Sequence, residues 1–228
     1  MSVTATSLVK LIDAVGVNLN TKTLDEMEPF VEQVRRYGYK AAIGPLCYIP
    51  TLVRRLADTD TLVSAPIGVP GGIEDASEMK AFAAKHCVSV GCKEVDINLN
   101  LMYLRSGRAD LALKDLQMVR EAVPFTPIQV VIESPQLTDE QIRTACGIVL
   151  DAGCEFVKTC TGAFGKVTVG QVRLIAQTVK GRCAIKAAGG VDTLEMVDQM
   201  VDLGVTRFGM GYVKAGKMVE TLREQGRI

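Results

Sequence analysis

Residues 184–209 read AIKAAGGVDTLEMVDQMVDLGVTRFG. A short apolar run closes on a glycine pair. Thr193 then stands ahead of Leu194 and Glu195, a hydroxyl cap followed by a carboxylate in the first helical turn. An amphipathic stretch follows until Gly204, a residue suited to ending a helix, and TRFG starts another β-prone run. The unit is a strand followed by a helix, and it sets the pattern for the rest of the chain.

Working outward, the same alternation recurs. Short strand-forming runs fall at 10–15, 40–43, 62–67, 94–99, 128–132, 156–158, 184–187 and 206–209. Amphipathic helical patterns fall at 24–37, 51–57, 74–91, 103–122, 138–152, 169–179, 193–203 and 215–224. Gly38, Gly91 and Gly153 stand at helix ends as Gly204 does. Eight strand-then-helix units in this length predict an α/β fold, a single (β/α)8 TIM barrel spanning residues 1–228. An open doubly wound sheet is the alternative, but no Gly-rich dinucleotide fingerprint follows an early strand. Neither a linker nor a low-complexity stretch points to a second domain.

The chain carries 26 Lys and Arg against 26 Asp and Glu, interspersed, which gives no electrostatic footprint for nucleic acid or an anionic membrane. Its apolar runs fall short of a membrane span, and its start has no basic-then-apolar leader pattern. Seven cysteines without CxxC spacing read as reduced, small apolar residues of a cytoplasmic protein. The single histidine, His86, sits on a predicted helix as a packing or surface residue, and no metal site is expected.

In a barrel, chemistry belongs to residues ending strands at the C-terminal rim. Asp96 in EVDINLN, Lys158 in FVKTCTG and Lys186 in AIKAAGG are ionisable groups set among strand-forming residues, with Asp13 in LIDAV and Glu133 in VIES behind them. A structural reading makes these ion pairs that close the barrel interior. Two lysines on adjacent strands favour a catalytic one. At about 4 Å and an effective dielectric near 20, two ammonium groups repel by roughly 4 kcal/mol. Such repulsion gives a fold nothing, yet it keeps one amine neutral and able to attack a carbonyl. An imine formed there would act as an electron sink for carbon–carbon bond making and breaking. Asp96 is the carboxylate for proton transfer, directly or through a water. Thr159 and Thr161 can orient that water or substrate hydroxyls. The glycines of AAGGV (Gly189, Gly190) and FGMGY (Gly211) offer amides that could hold a phosphate, or they are simply tight turns. Asn18, Asn98 and Asn100 are weaker candidates for hydroxyl binding.

The ordered set LID, EVDINLN, VVIES, FVKTCTG, IKAAGGV and RFGMG resembles the deoxyribose-phosphate aldolase family of class I aldolases over nearly the whole chain. The resemblance implies that Lys158 forms the imine with acetaldehyde, Lys186 perturbs its pKa, Asp96 serves proton transfer and Asp13 contacts substrate hydroxyls. It implies no cofactor and a small aldehyde or sugar-phosphate substrate, with homo-oligomerisation left open. Departures cluster toward the substrate's far end. Asp192 replaces a basic residue after GGV, and Gly211 and Tyr212 replace hydroxyl residues. The chain ends EQGRI without the family's tyrosine, and IDAVGV lacks the threonine of the family's first strand. Ile43 falls where the family has a cysteine, so Cys47 does not inherit that role.

The expected reaction is therefore reversible cleavage of 2-deoxy-D-ribose 5-phosphate to acetaldehyde and glyceraldehyde 3-phosphate. The alternative within the class is a Schiff-base aldolase for an unphosphorylated or differently substituted hydroxy aldehyde. Outside it stand a phosphosugar isomerase or decarboxylase barrel and a non-catalytic binding barrel. At Asp192 three arrangements are open: it caps the following helix; Lys166, Arg207 or Lys214 supplies a cation; or the substrate carries no phosphate.

Overall fold

A computed structural model describes residues 2–17 and 23–228. Eight parallel strands close into a barrel in sequence order: β1 (Ile12–Val15), β2 (Ala41–Ile43), β3 (Leu62–Ile67), β4 (Glu94–Asn98), β5 (Ile128–Val131), β6 (Phe156–Lys158), β7 (Ala184–Ala188) and β8 (Val205–Gly211). β8 returns to β1, with Asp13 opposite Gly209. Parallel neighbours need a crossover rather than a hairpin, and helices supply it. The helices are α1 (Ala5–Val9), α2 (Glu28–Tyr37), α3 (Ile49–Arg55), α4 (Ser77–Ser89), α5 (Leu101–Arg105), α6 (Ala109–Ala122), α7 (Asp139–Asp151), α8 (Val169–Val179), α9 (Leu194–Asp202) and α10 (Tyr212–Glu224). None is long and apolar enough to cross a membrane.

Local chemistry sets their ends. Thr138, Thr168 and Thr193 each accept from the backbone three residues on, and the first two complete capping boxes with Gln141 and Gln171. The stretch expected as one helix at 103–122 is two. The chain turns at Gly107, whose φ of +73 breaks the helical path between α5 and α6. A further helix, α1, precedes β1 in a region the alternation did not mark. Thr4 and Ser7 cap it reciprocally, and Ala5 N–H donates to the Arg227 carbonyl at 2.8 Å, joining the two ends of the chain.

Strand alternation separates two cores. Outward-facing Val95, Ile97, Val130, Val157 and Ile185 are buried beneath the helices. Each such side chain contributes about 1.5–3 kcal/mol of burial free energy. The inward positions differ from the branched aliphatic layers usual in these barrels. Asp13, Glu94, Asp96, Gln129, Lys186 and Arg207 are all buried. Charges buried this deeply persist only when paired, and they are. Cys87, Cys92, Cys146, Cys154 and Cys160 are buried thiols, Cys47 is exposed, and no cysteine is in a disulfide. His86 stacks on Phe82 along the outer helix α4, away from the barrel interior.

Candidate active site

At the C-terminal ends of the strands lies a cavity of about 370 Å³. Asp96 and Lys158 line it. Its walls include Val15, Ile43 and Pro66 from strand ends, Val69 and Pro70 from the loop after β3, and Thr161 and Gly162 from the loop after β6. Gly189 and Gly190 contribute from the loop after β7, Gly211 from the end of β8 and Lys214 from the first turn of α10.

The lysines on β6 and β7 are register partners. Lys158 Nζ donates to Asp96 Oδ2 at 2.7 Å, and Lys186 Nζ donates to the same oxygen at 3.2 Å. Both amines therefore sit within roughly 6 Å of each other, close enough for like charges to shift one another. Their surroundings then divide them. Lys186 is fully buried and pairs with Asp13 at 2.6 Å, with Asp96, and with Gln129 Oε1 at 2.5 Å. Burial pulls its pKa down, but Asp13 and Asp96 outweigh that and hold it above the ordinary lysine value, as a cation. Lys158 has only Asp96 as a direct partner among the described residues. Burial, aided by the Lys186 charge, outweighs Asp96 and brings its pKa below the usual range. Asp96 is itself held below the ordinary carboxylate value, because its two amines outweigh the cost of its burial. These directions are compatible: with Lys158 neutral, Lys186 still keeps Asp96 ionised. The site thus presents a depressed-pKa amine beside an ionised carboxylate, facing a cavity.

Gly209 makes room for the pair. A Cβ there would lie 2.9 Å from Ala188 Cβ, 3.2 Å from Lys186 Cε and 3.8 Å from Lys158 Cε. A glycine inside a strand often marks such a close approach, and that signal was legible in RFGMG though Gly211 was singled out instead. Glu94 and Gln129 are further members that the strand-end search missed, and Arg207, considered there only as a cation for the far end, joins them. Arg207 Nε donates to Asp13 Oδ1 at 2.7 Å, its Nη atoms reach Glu94 at 3.0 and 3.1 Å, and Gln129 Nε2 donates to Glu94 at 2.8 Å. They form the layer beneath the lysines. Pairing across four strands leaves no mark in one-dimensional spacing.

The direct substrate contacts expected of Asp13 and Thr159 are not what the geometry offers. Asp13 is fully buried between Lys186 and Arg207. Thr159 is equally buried, its hydroxyl donating to the Ala188 carbonyl at 2.8 Å and accepting from the Ala188 N–H at 2.9 Å. It ties the loop after β6 to β7. Thr161 does face the cavity; its N–H donates to Glu133 Oε2 at 3.1 Å, and its Oγ1 accepts from Ala163 N–H at 3.1 Å. Glu133, buried in a left-handed conformation at φ +50, also accepts from Asn98 Nδ2 at 3.0 Å. Asn100 caps α5 through the Tyr103 N–H. Asn18 lies outside the described residues.

Gly189 and Gly190 line the cavity with φ of +75 and +102, a region other residues rarely adopt. A Cβ at 189 would meet Cys160 Sγ at 2.4 Å, and one at 190 would meet Lys166 Cβ at 2.5 Å. Of the cations considered for the far end, Arg207 is spoken for in the buried layer. Lys166 and Lys214 both bind Asp192, which therefore does not cap α9; Thr193 does.

A family model described as DeoC/LacD family aldolase matches residues 10–217. The chain is 37% identical over 188 residues to a deoxyribose-phosphate aldolase of Staphylococcus carnosus, covering 82% of this chain and 85% of that protein. It is 32% identical over 228 residues to a deoxyribose-phosphate aldolase of Klebsiella pneumoniae, covering 98% of this chain and 91% of the relative. A crystal structure from Coccidioides immitis that carries the provisional name deoxyribose-phosphate aldolase superposes with a TM-score of 0.91 at 27% identity. It covers 98% of this chain and 88% of the other.

Proposed function

We propose, starting from the fact that this chain belongs to the DeoC/LacD family of aldolases, that it reversibly cleaves 2-deoxy-D-ribose 5-phosphate to acetaldehyde and glyceraldehyde 3-phosphate through an imine on Lys158. It is a lyase, as its named relatives are. The isomerase, decarboxylase and non-catalytic alternatives fall with that membership. The observation that carries the assignment of residues is the division of labour between the two lysines. One is buried and locked as a cation, and the other is at the cavity floor with a depressed pKa.

The neutral Lys158 amine adds to the aldehyde carbon of the open-chain sugar. Loss of water, with uptake of one proton from solvent, leaves a protonated imine. Asp96, directly or through a water, takes the proton of the 3-hydroxyl. The bond between carbons 2 and 3 breaks, its electron pair passing to carbon 2 and the iminium, and the acceptor aldehyde leaves. Protonation of the resulting enamine at carbon 2 and hydrolysis of the imine release acetaldehyde and restore the amine. Lys186 touches neither substrate carbon. It keeps Asp96 ionised and disfavours a second positive charge at Lys158 before the carbonyl arrives. In this reading the phosphorylated tail lies toward the far end of the cavity, which is lined by Gly162, Gly189 and Gly190 from loops, Gly211 from the end of β8 and Lys214 from the start of α10.

Borohydride reduction in the presence of acetaldehyde tests this. A two-carbon adduct is expected on Lys158, mapped by peptide mass, and Lys158→Arg should lose both the adduct and the cleavage activity by at least about 10⁴-fold. An adduct elsewhere, or activity that survives in Lys158→Arg, overturns the assignment.

A further inference from the structure

At the cavity's outer end, Asp192 bridges two amines. Lys166 Nζ donates to Oδ2 at 2.8 Å, and Lys214 Nζ donates to Oδ1, one lysine to each carboxylate oxygen. Lys214 lines the cavity, and Lys166 reaches Asp192 by passing against the bare backbone of Gly190. Among the described residues the charged groups lining the cavity are Asp96 and Lys158 at the floor and Lys214 at this end. Among the described residues, the cation lining the cavity at this end is thus already answered by a carboxylate of the protein. The two lysines hold Asp192 ionised, below the ordinary aspartate range.

We propose that Asp192 is a specificity-determining residue that, by occupying Lys214 and Lys166, lowers the enzyme's preference for a phosphorylated acceptor end and admits the unphosphorylated hydroxy aldehyde alongside it. The inference rests on the reading of Lys158 as the imine lysine and concerns the opposite end of the same substrate. A phosphate dianion entering here finds the Lys214 charge already offset by the Asp192 carboxylate, which repels the anion until it is displaced. A neutral hydroxyl tail needs no such exchange. It can accept from Lys214, which lines the cavity, as it stands. With side-chain exposures of 34% for Asp192, 42% for Lys214 and 75% for Lys166, the exchange involves solvated groups held weakly, so displacement is possible and discrimination is graded.

The test is the ratio of kcat/KM for 2-deoxyribose 5-phosphate over that for 2-deoxyribose, measured in the parent, Asp192→Asn, Asp192→Glu and Asp192→Asn/Lys214→Met. Asp192→Asn should raise the ratio about 10-fold, mostly through a lower KM for the phosphorylated sugar. Asp192→Glu, which still spans two amines, should stay near the parent ratio, and the double variant should lose the gain. Acetaldehyde trapping on Lys158 is run on every variant. A ratio that does not rise in Asp192→Asn, or rises equally in Asp192→Glu, while trapping is intact, overturns the role of Asp192 and leaves the imine assignment standing. Absence of trapping in the parent overturns the imine assignment itself.

Discussion

The molecule contains the same small motif twice, a carboxylate holding two lysine amines, at opposite ends of one cavity. At the floor Asp96 joins Lys158 and Lys186; at the rim Asp192 joins Lys166 and Lys214. The floor set sits on strands, with Asp96 and Lys186 wholly buried, so each charge is felt strongly and the amines acquire different protonation behaviour. The rim set sits on loops and a helix start, with exposed lysines, so water screens it and a ligand can rearrange it. On the proposed reading, imine chemistry uses the first setting and recognition of the substrate's tail the second.

Removing Lys186 should break the comparison most severely. With Lys186→Leu, a positive charge near Lys158 is gone while Asp96 remains, so the Lys158 pKa rises and less neutral amine exists at pH 7. The ascending limb of kcat/KM should move to higher pH by at least about one unit, with roughly a 10-fold or greater loss at pH 7 that is recovered as pH is raised. A loss equal at every pH would make Lys186 a structural residue only. Asp13 and Asp96 lose a buried partner in this variant, so its thermal melting should be recorded beside the rate profile.

The two glycines of β8 sharpen the contrast at intermediate cost. Gly209→Ala places a methyl 2.9 Å from Ala188 Cβ and 3.2 Å from Lys186 Cε, and should lower both stability, by about 1–3 kcal/mol, and kcat. Gly211, two residues later, has φ −54 and no atom within 4 Å of the added Cβ, so Gly211→Ala should leave melting within about 0.5 kcal/mol of the parent. Equal effects at the two positions would mean the floor is not packed around its lysines.

Ionic strength gives the smallest expected effect. Going from about 0.05 M to about 0.5 M salt shortens the screening length several-fold. KM for the phosphorylated sugar should change by a few-fold, and the pH dependence of trapping at Lys158 should hardly move. A floor that responded to salt as the rim does would not be the sealed site described.

How much of this was legible in sequence varies by residue. Val169–Val179 was read to the residue because its cap, its apolar face and its end are all local. Gly107 went unread as a helix break because one glycine in an amphipathic run is tolerated as often as it interrupts. Lys158, Lys186 and Asp96 stood out because a charge in a strand-forming run is anomalous on its face. Arg207 looked like a candidate for the rim and proved to be part of the layer below, since inward or outward depth depends on how β8 registers against β7 and β1. Asp13 and Thr159 carried the right chemistry for substrate contact but are enclosed by neighbours more than twenty residues away in sequence.

By itself the sequence determined the alternation of strands and helices, the barrel, and the identity of the ionisable groups at the strand ends, because propensity, capping and hydrophobic period are properties of neighbouring residues. Only the tertiary structure decided which lysine is locked as a cation, which faces the cavity, and that Asp192 is held between Lys166 and Lys214. Protonation and pairing depend on distances of a few ångströms between residues remote in the chain, and those exist only once the barrel has closed.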